Sequence, residues 1–565
     1  MRLMALAIAL IVVGCVPARE ARPEGAAPSV QSEPGRTLVA AVRVEPATLA
    51  TAALRQASVA LYLSKRMFNA ELALLDERAN PRPYLAEALP ELGTDSWRVF
   101  PDGRMETVYR LKPNLAWHDG APHTAHDFVF ASRVYATPEH GLAGSPPWNA
   151  IDEVTALDDR SFLIRWRQPH PDAGVLAARD REFPPLPRHI LQISFEQDQP
   201  DAFGNHPFWT REYVGLGPYR VDRWEPGAFI EAVAFDRHVL GRPKIERIKM
   251  LFISDTNTTL ANVLAGEIHL SADSSLRVAQ ATPLKREWGP EGGAVLFHAN
   301  QWRAVHFQFR PELATPRALL DPRVRNALAH AVDKPPINDA AYDGNSIVAD
   351  TMMAPLSETG LAVDRAITKY PYDVRRSEQL MAEAGFRKGT DGVYTSPAHG
   401  RFTAEIKTNA ATDNEAEMSI LASAWRQLGF DVQDRVLSAA QAQDNEVRAT
   451  FPGMFANNTN VGEPALLNQT TTRIPRPENR WQGGNRGGWS HPEYDRLASA
   501  FTTALDPSER TRLIVEMAKI YSEELASISL FFRTIPWAHV AALRGLQVVA
   551  PEANMAWNVH EWEFR

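Results

Sequence analysis

From residue 37 onward, stretches with a two-residue apolar period alternate with stretches of helical period, and neither ever takes over. Leu38-Val39-Ala40-Ala41-Val42-Arg43-Val44 has the composition of a first strand, and Met105 to Leu111 alternates like a half-buried one. Ser58 to Leu75 reads as a helix followed by a strand edge. Thr124 can cap a helix opening at Ala125, with Asp127 at the third helical position reaching back as a capping-box variant. Asp321 as N-cap with Pro322 at the first helical position is a second strong start. Asp373 can cap a helix running to about Ala384, where Gly385 suits a left-handed terminus, and Glu415 to Leu428 is amphipathic and ended by Gly429. Interleaved strands and helices make the class α/β, and 565 residues leave room for two or three domains. Phe451 to Ser490 breaks the pattern: rich in Asn, Gly, Pro and Thr, it is expected to be a long loop of the kind that carries function.

The chain has one cysteine, Cys15, so it holds no internal disulfide and no cysteine-clustered metal site. A net charge of −8 without a long basic run gives no reason to expect nucleic acid as a partner. Leu3 to Val13 is unbroken apolar sequence after Met1-Arg2. As a helix it would rise roughly 16 Å, short of a hydrocarbon core of about 30 Å. It reads instead as a signal-peptide core over residues 1–14. Val12-Val13-Gly14-Cys15 resembles a bacterial lipobox, which implies cleavage before Cys15 and lipidation of it. Residues 15–36 are rich in Pro, Ala, Glu and Gly and read as a flexible tether. The expectation is a protein in the periplasm or on the outer face of the cell membrane, anchored by lipid.

Six separated segments resemble the family 5 solute-binding proteins (oligopeptide, dipeptide and nickel type) of ABC transporters. They are Tyr109-Arg110-Leu111-Lys112-Pro113 through Trp117-His118-Asp119-Gly120 with Thr124-Ala125-His126-Asp127; Gly215-Leu216-Gly217-Pro218-Tyr219-Arg220; and Leu264-Ala265-Gly266-Glu267-Ile268. Asp321-Pro322-Arg323-Val324-Arg325 to Asp333-Lys334, Tyr370-Pro371-Tyr372-Asp373 to Gly385-Phe386, and Trp489-Ser490-His491-Pro492-Glu493-Tyr494-Asp495 follow in the family's order. The resemblance implies a periplasmic-binding-protein-like fold (class II, the large cluster C type): two lobes, a hinge and an extra inserted subdomain. It divides the chain into a discontinuous lobe I (37–82, 210–300 and 525–565), the insertion (83–209) and lobe II (301–524). It also implies a monomeric binding protein, not an enzyme, that needs no cofactor or metal. The partners would be a small solute, an oligopeptide or similar, and an ABC permease and ATPase complex. A neutral non-peptide solute such as an oligosaccharide, or a role as a ligand-presenting receptor component, is the alternative.

Other motifs carry less. His123 and His126 have metal-like spacing, but His118 belongs to a turn and His126 to a helix start. Gly483 to Gly488 is glycine-rich, but Trp489 stands where a phosphate loop needs lysine, so it reads as flexible loop. Candidate ligand contacts are Glu45, which edges the cleft in relatives, and the tryptophans Trp148, Trp302, Trp481 and Trp537, which combine area with a polar edge. Asn457, Asn458 and Asn460 complete the set. Peptide-binding relatives carry a Trp-x-x-Asp-like stretch here, and its aspartate pairs with a free α-amino group. Aligned on Glu463-Pro464, this chain has amides in both places. An amide cannot neutralise an ammonium, so a blocked peptide or another neutral polar solute is expected to bind better than a free one.

Overall fold

A computed structural model describes residues 37–52, 54, 62–176 and 182–565. Cys15, the signal segment, the tether and the first residues of the helix expected from Ser58 lie outside the described residues.

Eleven strands form the main sheet: β1 (Leu38–Val42), β2 (Tyr219–Glu225), β3 (Phe229–Ala234), β4 (Arg247–Phe252), β5 (Leu270–Ser271), β6 (Gly293–Phe307), β7 (Ile347–Val348), β8 (Thr403–Asn409), β9 (Asp431–Leu437), β10 (Met454–Thr459) and β11 (Ser527–Val540). Their spatial order is β9-β8-β10-β6-β11-β5-β1-β4-β3-β2, with β7 added beside β11. β1 is parallel to β4 and β5, and β8 is parallel to β9 and β10. The long antiparallel pair β6 and β11 joins the two parallel groups. Fifteen residues of strand make β6 about 50 Å long, enough to run through both halves.

The apolar core divides accordingly. One cluster gathers Leu38, Met67, Tyr219, Ile248 and Trp562 together with the insertion's Phe128, Phe162 and Trp166. Two others gather Val305, Leu328, Ile406 and Trp425, and Trp302, Trp489, Tyr494 and Met517. These are the two lobes. The insertion is a four-stranded antiparallel sheet, Trp97–Val99, Met105–Arg110, Ser161–Trp166 and Ile151–Ala156 in spatial order, covered by the helix Ala125–Ala136.

Local signals explain most boundaries. Asp127 Oδ2 accepts from Thr124 N at 2.9 Å, Asp321 accepts from Arg323 N at 2.8 Å, and Asp373 accepts from Arg376 N at 3.0 Å. Gly385 and Gly429 take φ values of 84° and 99° past their helices. The amphipathic helix expected from Glu415 begins three residues earlier, as Thr412–Gln427.

The stretch from Phe451 to Ser490 differs from the loop expected. It holds β10 and a short helix, Glu463–Leu467. Asparagine is a poor strand former, but β10 is paired on both sides, by β6 and β8, and tertiary pairing overrides the local preference. The glycine run at 483–488 is closely packed. A Cβ at Gly487 would lie 2.3 Å from Phe307 O and one at Gly484 2.6 Å from Asn468 Cβ, so these glycines serve close approach.

Candidate functional site at the lobe junction

The family-like motifs prove to be joints of the fold. The His118 ring accepts from Gly215 N at 3.1 Å through Nδ1, and its Nε2 lies 3.0 Å from Gly217 O, where it donates. Burial holds this imidazole down at about 4, so it stays neutral and can do both. His123 lies in the core against Trp117 and meets Asp127 at 3.0 Å, and His126 is 3.6 Å from Asp159. Among the described residues, no group of three or more potential ligands is arranged to hold a metal ion.

The junction itself follows from register. β5 flanks β11 only at Ala538 and His539, and β10 flanks β6 only from Trp302 to Phe307. Between these limits, around Phe297 to Ala299 and Thr534 to Trp537, the crossing is a two-stranded ribbon. Pro536 sits in it, where no outer strand needs its missing N–H. β5 advances toward the ribbon, and β1 runs parallel to it; from the other side β10 advances toward the ribbon, and β8 runs parallel to it. The carboxyl ends of two parallel groups therefore face one crevice, the usual place for a ligand in an open α/β sheet.

Side chains at these ends are polar and short of partners. Arg43 Nε directly follows β1, and in the same lobe Thr51 Oγ1 and Trp557 Nε1 lie further along the chain; all three atoms are buried with no hydrogen bond in the protein. On the second lobe the same holds for Trp302 Nε1, Asn409 Oδ1, Asn457 Nδ2 and Asn458 Oδ1. Register puts Asn409, Asn457 and Trp302 on one face of the sheet and Asn458 on the other. Buried polar atoms are rarely left unpaired in folded proteins, so such a set marks where a partner from outside fits. The lobes also touch: a Cβ at Gly462 would lie 2.9 Å from Glu552 Oε1, and Asn345 Nδ2 donates to Thr282 Oγ1 at 2.8 Å.

The acids nearby are already engaged. Glu45 accepts from Trp224 Nε1 at 2.7 Å and Gly227 N at 2.9 Å. Asp273 accepts from Tyr62 N and Leu63 N at 3.0 and 3.1 Å, Asp413 holds Arg533 at 2.7 Å, and Glu463 meets Arg510 at 3.1 Å. Burial raises the Asp273 carboxyl to about 7 against the pull of those two N–H groups.

The remaining residues singled out from sequence are dispersed. Trp148 packs in the insertion's core on Tyr135 and Phe183, with ring centroids 4.3 and 5.1 Å away. Trp537 is buried in the first lobe, Trp481 is half-buried in its loop with φ 58°, and Asn460 is exposed just beyond β10. Sequence reasoning passed over Arg43, Thr51, Asn409 and Trp557. Asn409 alone had a usable signal, as the polar end of an alternating run. A small cavity lined by Lys334, Asp350, Tyr370 and Ser522 lies elsewhere in the second lobe, with Lys334 bonded to Asp350 at 2.7 Å and Tyr370 to Ser522 O at 2.9 Å.

The profile described as "Bacterial extracellular solute-binding proteins, family 5 Middle" matches residues 87–472. The oligopeptide-binding protein AppA of Bacillus subtilis is 22% identical over 508 residues, covering 88% of this chain and 86% of its own. The dipeptide-binding protein of Escherichia coli is 21% identical over 483 residues, covering 80% and 82%. Among solved structures, NikZ from Campylobacter jejuni in complex with Ni(L-His) superposes with a TM-score of 0.67 at 21% identity, covering 94% of this chain and 100% of its own. The oligopeptide-binding protein of Thermus thermophilus, complexed with a pentapeptide, gives 0.65 at 24% identity, with 94% and 96% covered. Among the described residues, no helix is long and apolar enough to cross a membrane. The chain belongs to the bacterial extracellular solute-binding proteins of family 5, and its two-lobed α/β sheet is the fold it shares with them.

Proposed function

We propose that this protein captures a peptide or peptide-like solute between its lobes and delivers it to the permease and ATPase of an ABC importer, with no chemical turnover. The observation that carries this is the set of buried, unpartnered donors and acceptors where the parallel strands end on both sides of the β6–β11 ribbon. Closure on a solute would satisfy them and present a surface that differs from the open form, which is what a permease must distinguish. The named relatives bind oligopeptides and dipeptides, which supports the cargo class. We divide the chain into a discontinuous lobe I (37–82, 210–300 and 525–565) carrying the insertion (83–209), and lobe II (301–524); the separation of the core clusters supports this except at the start of β11, where Ile528, Leu530 and Phe531 pack in the second lobe's core. Cys15, as a lipid-bearing residue, would hold a monomer at the membrane surface.

A second reading concerns the cargo's charge. Asn460 stands about where relatives carry the acid and Asn457 where they carry the tryptophan, and Glu45, Asp273, Asp413 and Glu463 already have protein partners. An unpaired buried ammonium costs several kcal/mol, against about 8 kcal/mol for micromolar binding. N-blocked peptides or neutral polar solutes are therefore favoured over free ones. Mass spectrometry of solute co-purifying from the native host, followed by calorimetry with free and N-acetylated tri- to pentapeptides, tests both readings. Binding that N-acetylation strengthens or leaves intact is expected. Submicromolar binding of free peptides that acetylation abolishes would refute the charge reading, and steady product formation would refute the binding role.

A further inference from the structure

At the end of the second-lobe sheet away from the crevice, two arginines, Arg448 and Arg486, have no carboxylate partner among the described residues. β6 ends at Phe307, and Arg310 just past it gathers three carbonyls: Ala449 O, Arg486 O at 2.6 Å and Pro475 O at 3.2 Å. One guanidinium thus draws together the backbones that carry Arg448 and Arg486. The second of these is held firmly, because Asn485 Nδ2 donates to Gln469 O at 2.9 Å and Trp489 O at 2.6 Å. Arg448 Nε is buried without a partner, and neither guanidinium pairs with a carboxylate among the described residues. Glu405, the nearest acid on β8, is taken by Lys407 at 3.2 Å and Arg435 at 3.8 Å. The stretch between Arg448 and Arg486 adds Arg473, Arg476 and Arg480, all exposed, against two acids, Glu478 and Glu463, the second of which is held by Arg510.

His306 completes the group. It is 5% exposed, its Nε2 has no partner, and its ring meets Trp302 edge-on at 5.6 Å. Burial, then the charges of Arg486 and Arg303, push it down to about 3, so the ring is neutral and can present an Nε2 N–H. Burial and Arg448 likewise hold Arg486 down at about 10. Two like charges, Arg448 on the short helix Asn445–Ala449 and Arg486 on its loop, and an unused donor on β6, in a protein of net charge −8, form a local field that an anion relieves.

We propose that Arg448, Arg486 and His306 form an oxyanion-binding site in the second lobe, on the sheet face that begins at Asn409, Asn457 and Trp302. The oxyanion is either a carboxylate carried by the captured solute or a free inorganic oxyanion. The first case rests on the peptide-like cargo proposed above; the site itself does not.

The test uses the full protein in low-salt chloride buffer. Wild type and the R486Q and R448Q variants are titrated calorimetrically with sodium sulfate, and with an N-acetylated tripeptide bearing a free or an amidated carboxyl group. Sulfate binding that falls tenfold or more in R486Q supports the site with a free anion as occupant. A free-acid peptide that binds at least tenfold tighter than its amide in wild type, but not in R486Q, supports the solute's carboxylate. If peptides bind regardless of the carboxyl group and sulfate is silent, the cargo reading stands and this site falls. If sulfate binds and no peptide does, the site stands and the cargo reading falls. Removing one of two repelling cations should leave the melting temperature in low salt unchanged or raised. A drop of several degrees in R486Q would mean that Arg486 has a structural partner, and would overturn the proposal.

Discussion

Asn457 and Asn485 put the same amide to opposite uses. Asn457 Nδ2 is buried and bonded to nothing in the protein, whereas Asn485 Nδ2 holds two carbonyls within 2.9 Å. Stranding a buried polar group costs about 1–3 kcal/mol. Asn457→Ala removes a group that is already stranded, so its melting temperature should match wild type or exceed it, while solute affinity falls about tenfold. Asn485→Ala strands the carbonyls instead and should melt several degrees lower. Parallel thermal melts and calorimetry on both variants check the contrast; a destabilised Asn457→Ala would mean that its amide serves the fold. This distinction was closed to sequence reasoning. An asparagine in a polar stretch can be singled out by composition, as Asn457, Asn458 and Asn460 were, but whether its hydrogens are used depends on strands distant in the chain. Arg43, Thr51 and Trp557 were missed for the same reason: that their donors and acceptors are buried without a partner is set by tertiary packing.

At the scale of elements, what is local was readable and what is cross-strand was not. Caps at Asp321 and Asp373 and left-handed glycines at Gly385 and Gly429 depend on neighbours within a few residues, and these stand as the sequence suggests. β10 is held by pairing with residues about 50 to 150 positions away, and no local pattern announces it. Two elements carry testable consequences. Gly217 leads into β2 beneath the helix Tyr62–Phe68, and a Cβ there would lie 2.4 Å from Met67 O. Gly217→Ala should cost on the order of 3 kcal/mol, because backbone rather than a movable side chain blocks it. In the second lobe Arg303 on β6 pairs with Glu417 at 2.8 Å, both buried, with Tyr342 Oη and Thr408 Oγ1 completing the network. Glu417→Ala leaves a buried guanidinium unpaired and should destabilise by about 3–5 kcal/mol, seen as a lower denaturant midpoint with an unchanged slope. Preserved stability in either variant would contradict the packing described.

For the whole molecule, proton linkage sets the pH at which two lobes and a hinge stay together. Burial first, then nearby positive charges or histidines, lowers His238 to about 2 and His306 to about 3, and burial lowers His118 to about 4. Unfolded histidine takes up a proton near 6.5, so below that pH the unfolded chain binds protons that these folded rings refuse, and stability falls as pH falls. Two acids act the other way. Burial raises Asp273 to about 7, and burial together with Glu182 raises Glu71 to about 8. Between the unfolded carboxylate range near 4 and these values, the folded state keeps protons that the unfolded chain has released, and stability falls as pH rises. From about 4.5 to 6.5 the two effects oppose one another and the profile flattens. Above 6.5 the raised acids dominate, and the melting temperature should decline until about pH 8; below 4.5 the histidines act together with carboxylates held low in the fold, such as Asp321 beside Arg323 and Asp391 beside Arg401, and it should drop steeply. Asp273→Asn removes the proton release at the mouth of the first lobe, while its remaining carbonyl can still accept from Tyr62 N or Leu63 N. Its melting temperature should therefore fall less steeply with pH than that of wild type from about pH 4.5 to 7.5, and the two should run parallel only below about pH 4. Calorimetric melts in a constant-ionic-strength buffer series decide this: a wild-type melting temperature that keeps rising from pH 6.5 to 8, or an Asp273→Asn slope equal to wild type, would show that the Asp273 carboxyl is ionised throughout.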